Sequence, residues 1–333
     1  MLNSILLYVP SRTKNIQDSH ILEHTIGKKI EDSLNENGLV QDGIVLNAET
    51  FLDGFVITIY FASEKDEQKL VYLVNEAVKA PFYKVTQAEL VRIQNELEEE
   101  EGENNEIISL YQPVSKVFGR DLKDLQTINK NFDLKKLKNE YRFQDYALST
   151  FTSHGYHRVI NARLTEMPFQ YKNFQNENYI SGTFVWTVNS IKEIINLYFI
   201  AFIFGQNSES LVTKYYLDPN DEYLGYCQPL IMFNSFCINY LVTAQKGQAI
   251  KEVESVFSLS NIKKLLDENF NFFKNSFKIY FQLTYTTNDL AIQLNKVLTG
   301  DIKNLNDEIS SEIDRLNYSY LMKFICDVTS RRD

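Results

Sequence analysis

The first third of the chain combines apolar positions at helical spacing with short runs of β-branched and aromatic residues. The opening MLNSILLYVP predicts a strand rather than a signal peptide, because no basic residue precedes its apolar run. Between Ser19 and Gly38, apolar residues recur at helical spacing, at Ile21, Leu22, Ile26, Ile30 and Leu34. This spacing predicts an amphipathic helix that ends near Gly38. The segments GIVLNA and GFVITIYF then predict a pair of strands.

Two more helices are predicted after that strand pair. The segment SEKDEQKLVYLVNEAVKAPF has an apolar stripe that stops at Pro81. The segment VTQAELVRIQNELEEEEGENNE carries a buried stripe through Leu90, Ile93 and Leu97, and its acidic residues 98–101 are expected to be a solvated end. Both segments predict helices that pack one face on a core.

The second half begins with a segment rich in Asn, Gln and Tyr, PFQYKNFQNENY, which is the best candidate for a linker. A strand, GTFVWTV, and an uncharged apolar helix, IINLYFIAFIFG, follow it. With 333 residues the chain is long enough for about two domains. We therefore predict one domain over residues 1–167 and a second over residues 168–333, both mixing helices and strands.

Charge and cysteine usage limit the class of partner. The formal net charge of -10 argues against general binding to nucleic acid or to anionic membranes, because both select basic surfaces. The apolar helix is too short to span a bilayer, which takes about 20 residues. Three cysteines, Cys227, Cys237 and Cys326, form no C-x-x-C pair, so we expect buried thiols in a reducing, cytoplasmic compartment.

The segment HILEH carries the candidate chemistry. It places His20 and His24 four positions apart, on one face of a helix, so that both imidazoles reach one ion. In a catalytic site, zinc bound by two histidines requires a third protein ligand, commonly a carboxylate, and an open coordination position for water. Glu23 lies between the two histidines, where its carboxylate is placed to relay a proton. The alternative is a solvated helix face, because so short a pattern also arises by chance.

HILEH and the residues after it resemble the pitrilysin/insulinase metallopeptidases. H-x-x-E-H is the inverzincin signature, and NGLVQDGIVLNAETFLDGFVITIYF is similar to that family's N-A-x-T segment and strand. In the family, a distal glutamate lies about 70–80 residues beyond the histidine motif, and another glutamate precedes it by seven. Here Glu96 lies 96 − 24 = 72 positions after His24, and Glu89 lies seven before Glu96.

The resemblance implies that His20, His24 and Glu96 bind zinc (Zn2+). Glu98 or Glu99 is the alternative third ligand if the register of the helix differs. A simpler interpretation of Glu96 is the start of an acidic surface.

For the two remaining carboxylates, the resemblance implies that Glu23 is the general base and that Glu89 orients a histidine. Seven residues are nearly two helical turns, so Glu89 and Glu96 share a face. Glu89 also fits a capping box with Thr86, three residues before it, and that role alone would explain it.

The family resemblance also implies a fold and a mode of peptide binding. The expected fold is α+β, with two similar domains that each consist of a mostly antiparallel sheet backed by helices. Asn47 and Ala48 match the N-A-x-T motif, which in the family lies beside the substrate at an edge strand that peptides extend. The alternative for Asn47 is an ordinary asparagine at a turn or strand end.

A fainter resemblance continues into FGQNSESLVTKYYLDPNDEYLGYC, where Ser208, Leu211 and Tyr226 fit the family pattern. The family has an arginine seven positions before the tyrosine, and with that tyrosine it holds the substrate carbonyl. Here that position is Pro219, and Lys214 is an imperfect substitute because lysine lacks the planar guanidinium. The chain therefore resembles the catalytic subunit of two-subunit members such as mitochondrial processing peptidase. We expect a heterodimer with a non-catalytic relative rather than a homodimer.

Together these residues predict a zinc endopeptidase subunit that cleaves short or unfolded peptides in a closed chamber. Leader removal from a ribosomally made peptide is the use suggested by analogy. The main rival is a non-catalytic scaffold or peptide-binding subunit of the same family. A third possibility, an α/β protein with a chance histidine pair, would bind no stoichiometric zinc and would leave the N-A-x-T segment unexplained.

Overall fold

The chain forms two compact units in a computed structural model, and neither unit is one continuous segment. The structure describes residues 3–11, 16–80, 91–93, 95, 105–120, 122, 137, 141, 146–161, 167–216, 224–245, 248–298 and 300–330. The first unit consists of Met1–Glu103, Arg120–Leu164 and Asn288–Leu305. The second consists of Asn104–Gly119, Thr165–Thr287 and Asn306–Asp333. A single cut at residue 167 would instead assign residues 104–119 to the first part and residues 288–305 to the second.

A five-stranded antiparallel sheet forms the centre of the first unit. Its strands are β1 (Asn3–Pro10), β2 (Val45–Phe51), β3 (Gly54–Phe61), β4 (Ala147–Thr152) and β5 (Gly155–Ile160). They lie in the order β2-β3-β1-β4-β5, with every neighbouring pair antiparallel. The strand at the amino end and the hairpin of β2 and β3 agree with the sequence prediction.

Helices cover one face of this sheet. They are α1 (Ile16–Glu36) and α2 (Glu67–Lys79), with short 3-10 turns at Leu39–Asp42 and Glu64–Asp66. Because side chains alternate along a strand, the odd-numbered residues of β1 and β3 point toward these helices and form one apolar core with them. Gly38 follows α1 at φ 71°, the left-handed conformation that favours glycine at a helix end.

The second unit contains a four-stranded antiparallel sheet in the order β6-β7-β9-β8. Its strands are β6 (Gln170–Gln175), β7 (Tyr179–Thr187), β8 (Gly225–Met232) and β9 (Ser235–Thr243). Its helices are α3 (Asn105–Phe118), α4 (Ile191–Gly205), α5 (Leu211–Tyr215), α6 (Ile250–Val256), α7 (Leu259–Thr284), α9 (Leu305–Asp314) and α10 (Tyr318–Ser330). The predicted apolar helix is α4, and it is buried along nearly its whole length. Two antiparallel sheets backed by helices confirm the predicted α+β class.

Two details of the second half differ from the sequence prediction. The proposed linker, residues 168–179, contains β6, an edge strand whose Tyr171 and Asn173 side chains both hydrogen-bond the Glu254 carboxylate. Cys227 and Cys237 are buried, but Cys326 is exposed. Polar residues form β6 because an edge strand faces solvent on part of its surface. In the described part of the chain, no helix has the length and hydropathy needed to cross a bilayer.

The segment 288–305 returns to the first unit and includes part of α8 (Thr287–Asn295). Asn295 donates to the Leu6 carbonyl oxygen at 3.0 Å, and Arg158 donates to the carbonyl oxygens of Asn295 and Leu298. Lys296 forms a buried ion pair with Asp53, at 3.3 Å between Nζ and Oδ1. Residues distant in sequence therefore complete the polar interior of the first unit.

Gly155 allows this segment to reach the sheet. Tyr156 and Ile302 exchange two backbone hydrogen bonds of 2.8 Å, and Gly155 adopts φ 115° beside them. A Cβ at Gly155 would lie 2.3 Å from the carbonyl oxygens of Ile302 and Lys303.

We expect Gly155→Ala to destabilise the first unit by about 1–3 kcal/mol, because both the backbone conformation and the contact become strained. Urea unfolding would measure this, with Gly27→Ala, which has open space, as the control. Equal stability of the two variants would contradict it.

Candidate metal centre

Helix α1 brings the three residues of the H-x-x-E-H motif to the sheet side of the first unit. Ile21 and Ile26 anchor the helix in the apolar core. That packing largely buries His20 and Glu23, which are 9% and 8% exposed, and leaves His24 half-buried. The solvated-face interpretation of this motif is therefore wrong for His20 and Glu23, which are buried polar groups.

The two imidazoles converge on one point. His20 Nε2 and His24 Nε2 are 3.1 Å apart, and the ring planes are tilted by 52°. Two nitrogens bound at 2.0–2.1 Å to one tetrahedral zinc ion stand roughly 3.3–3.4 Å apart. The spacing and the donor chemistry of this pair therefore fit a zinc ion with only a small adjustment.

The Glu23 carboxylate accepts a hydrogen bond from the edge strand β2. Thr50 Oγ1 in β2 donates to Glu23 Oε2 at 2.6 Å, and His20 Nδ1 lies 3.9 Å from the same oxygen. The first contact is a short hydrogen bond to a carboxylate, a strong type of hydrogen bond. Helix α1 and strand β2 thus meet at the one carboxylate that the motif provides.

Arg92 contacts the outer nitrogen of His24. Its Nη2 lies 3.2 Å from His24 Nδ1, and a guanidinium only donates, so this nitrogen is the acceptor. A neutral His24 then carries its proton on Nε2, which faces His20 Nε2. The Arg92 side chain is exposed.

The other carboxylates predicted for the centre, Glu89, Glu96, Glu98 and Glu99, lie outside the described residues. Residues 91–93, before Glu96 in the chain, are helical, and Ile93 is buried in the same core as α1. Over the residues that the structure covers, no group of three His, Cys, Asp or Glu side chains is placed to hold a metal ion. The described part of the centre is therefore a pair of histidines with Glu23 beside them.

Asn47 and Ala48 lie on β2, which pairs with β3 alone among the described strands and forms an edge of the sheet. Ala48 faces the apolar core, whereas Asn47 is exposed on the opposite face and donates to Glu49 Oε1 at 2.8 Å. The predicted edge strand exists, and its backbone runs beside the Thr50 and Glu23 contact.

The residues of the fainter resemblance lie in the second unit. Tyr226 is near the start of β8, and its hydroxyl donates to Glu106 Oε1 at 3.2 Å. Burial and then this carboxylate raise the pKa of Tyr226. A hydroxyl has one proton, so a substrate carbonyl would have to displace Glu106 to be bound by Tyr226.

The neighbouring positions have structural partners of their own. Leu211 is buried at the start of α5, and Ser208 is exposed in the loop before it. Lys214 pairs with Glu209 at 3.0 Å. Pro219, the position of the expected arginine, lies outside the described residues.

Sequence reasoning assigned no role to Thr50 or Arg92. Thr50 is the last residue of the N-A-x-T motif, so the motif itself was the signal that could have drawn attention to it. Nothing in the sequence marks Arg92, because its contact depends on how its helix packs beside α1.

Comparison with known proteins supports the fold. No family model and no curated protein sequence matches this chain. Among solved structures, a protease from Helicobacter pylori is similar with a TM-score of 0.57, at 14% identity over 97% of this chain and 90% of that chain. The peptidase M16 inactive domain from Pseudomonas fluorescens is similar with a TM-score of 0.58, at 11% identity over 100% of this chain and 90% of that chain. The chain has the pitrilysin-like fold of M16 peptidases, and this fold occurs in a protease and in an inactive domain.

Proposed function

We propose that this protein is a zinc-dependent endopeptidase subunit that cleaves short or unfolded peptides. The convergence of His20 Nε2 and His24 Nε2 to 3.1 Å, next to a buried Glu23, is the observation that carries the proposal. Two imidazoles and a carboxylate suit zinc better than calcium or magnesium.

His20 and His24 would hold the zinc ion, with Glu96 as the third ligand. Arg92 reaches His24, and in the predicted helix a residue four positions later shares the face of Arg92, which favours Glu96 for this role. When bound, zinc lowers the pKa of a water and polarises a carbonyl group.

Glu23 would act as the general base and then as the general acid. Its carboxylate accepts a proton from the attacking water and delivers it to the nitrogen of the scissile peptide bond, so that the amine leaves neutral. Thr50 fixes Oε2 of this carboxylate, and the burial of Glu23 limits the number of positions that the group adopts. A fixed carboxylate suits this transfer because the proton must move between two defined atoms.

The edge strand β2 would bind the substrate. A peptide that adds to this edge as a further strand is recognised chiefly through its backbone, which suits a peptidase for unfolded segments. Asn47 lies on this strand with its side chain exposed, so it is available to contact such a peptide. Tyr226 would contribute only after leaving Glu106.

A partner subunit would supply the arginine that this chain has replaced with Pro219. We favour a heterodimer with a non-catalytic relative over a homodimer, because a second copy would lack the same arginine. Removal of a leader from a ribosomally made peptide is a use that such a compact subunit would suit.

Zinc content tests the proposal directly. We expect about one zinc per chain in the purified protein by elemental analysis. His20→Ala, His24→Ala and Glu96→Gln should each weaken zinc binding by more than the 10- to 100-fold typical for residues that only orient a ligand. His154→Ala is the matched control, because His154 is exposed and pairs with Glu64. Absence of zinc from metal-supplemented wild-type protein would contradict the proposal.

A non-catalytic scaffold or peptide-binding subunit is the second candidate. The similarity to an inactive M16 domain favours it, as does the replacement of the arginine. Stoichiometric zinc together with peptide cleavage, measured with and without a co-purified relative, would exclude this candidate. Peptide binding without zinc would establish it.

A further inference from the structure

Thr50 connects the strand expected to bind peptide with the carboxylate expected to move the proton. The Thr50 hydroxyl donates to Glu23 Oε2 at 2.6 Å across a separation of 27 residues. Glu23 is 8% exposed, so this hydrogen bond is shielded from solvent on the carboxylate side. Such a bond contributes more than a surface contact because little water competes for the acceptor.

The sheet register directs the Thr50 side chain toward α1. In the β2 and β3 pair, Thr50 lies opposite Phe55, and Ala48 lies opposite Ile57. Phe55 and Ile57 belong to the core beneath α1, so Thr50 and Ala48 point to the helix side. A shift of one residue in this register would turn Thr50 away and present Glu49 instead.

We propose that Thr50 is a positioning residue that fixes the Glu23 carboxylate to the edge strand β2. The Thr50 hydroxyl orients the plane of the Glu23 carboxylate. The same hydrogen bond fixes the position of this carboxylate relative to the backbone of β2, to which a peptide would bind. The proposal rests on the proposed function for its effect on cleavage, whereas the contact itself is a feature of the fold.

The expected result for Thr50→Val is a loss of about 10- to 100-fold in kcat, the range typical of a hydrogen bond to a charged group. Zinc content and KM should stay close to the wild-type values, because Thr50 binds neither the metal nor the peptide side chains. Thr50→Ser keeps the hydroxyl and should restore most of kcat. Thr58→Val is the matched control, since Thr58 is a buried threonine of β3 that faces the opposite side of the sheet.

The experiment combines two measurements on the full chain. Cleavage of short unstructured peptides carrying a fluorophore and a quencher gives kcat and KM, with the partner subunit present if wild-type activity requires it. Urea unfolding, with a chelator present, of the wild type, Thr50→Val, Glu23→Ala and the double variant gives a double-mutant cycle that needs no activity, because alanine removes the carboxylate that accepts the Thr50 hydrogen bond.

The outcomes separate this inference from the proposed function. Non-additive stabilities, with a kcat loss that serine rescues, would support the positioning role. Additive stabilities, or a Thr50→Val variant with wild-type kcat, would overturn it. If the wild-type protein cleaves no peptide, the proposed function fails, and the stability cycle alone then decides whether Thr50 positions Glu23.

Discussion

Glu23→Gln should retain one zinc per chain and lose about 100- to 10,000-fold in kcat for peptide cleavage, the range that a positioned acid–base group contributes. Glutamine keeps the shape of the side chain, and its amide oxygen accepts the hydrogen bond from Thr50. It has no basicity, so proton transfer to the leaving nitrogen is lost. The variant therefore separates the proton-transfer role from the structural role of the residue.

The measurement is a comparison of zinc content, KM and kcat between wild type and variant. Glu49→Gln is the control, because Glu49 is an exposed carboxylate on β2 that faces away from α1. Loss of zinc in Glu23→Gln would show that Glu23 supports the metal instead. Unchanged kcat would show that another group carries the proton.

Lys296→Met should reduce the free energy of unfolding of the first unit by about 3 kcal/mol. Lys296 and Asp53 are almost fully buried, at 2% and 0% exposure, and removing one member of such a pair typically costs 3–5 kcal/mol. We expect the lower value, because Asp53 keeps a hydrogen bond from the Tyr8 hydroxyl at 2.7 Å. Adding Asp53→Asn should recover part of the loss, since the unpaired charge is then removed.

The probe must report on the first unit. Trp186 is the one tryptophan of the chain and lies in the second unit, so its fluorescence is unsuitable. Amide hydrogen exchange of β1 and β3 under increasing urea is the appropriate measurement. Lys28→Met serves as the control, because Lys28 is exposed and its ion pair with Asp32 lies on the surface. Similar losses in both variants would contradict the prediction.

The sequence was sufficient for elements that a local pattern of side chains marks, either a regular apolar spacing or a continuous apolar run. Helices α1, α2 and α4 and the β2–β3 hairpin follow directly from their side-chain patterns. The helical spacing of His20, Glu23 and His24 likewise placed these three residues on one face. These features depend on neighbours within a few residues, and such neighbours are visible in a linear sequence.

Features that depend on distant neighbours were missed. Strand β6 resembles a polar linker because the hydrogen-bond partners of its tyrosine and asparagine, Glu254 among them, are distant in the sequence. Lys296 would be assigned to the surface from its type, and only the fold brings it to Asp53. The pairing of Thr50 with Glu23 required the register of β2 beneath α1. In each case tertiary packing decided the position of a polar side chain.

The return of residues 288–305 to the first unit has a consequence for the order of biosynthesis. A ribosome makes about 5–20 residues per second, so residues 168–305 take on the order of 10 s to follow residue 167. During that time the emerging chain has Asp53 without Lys296 and Arg158 without Asn295. The first unit therefore lacks these contacts of Asp53 and Arg158 until residues 288–305 have been translated, which happens after most of the second unit.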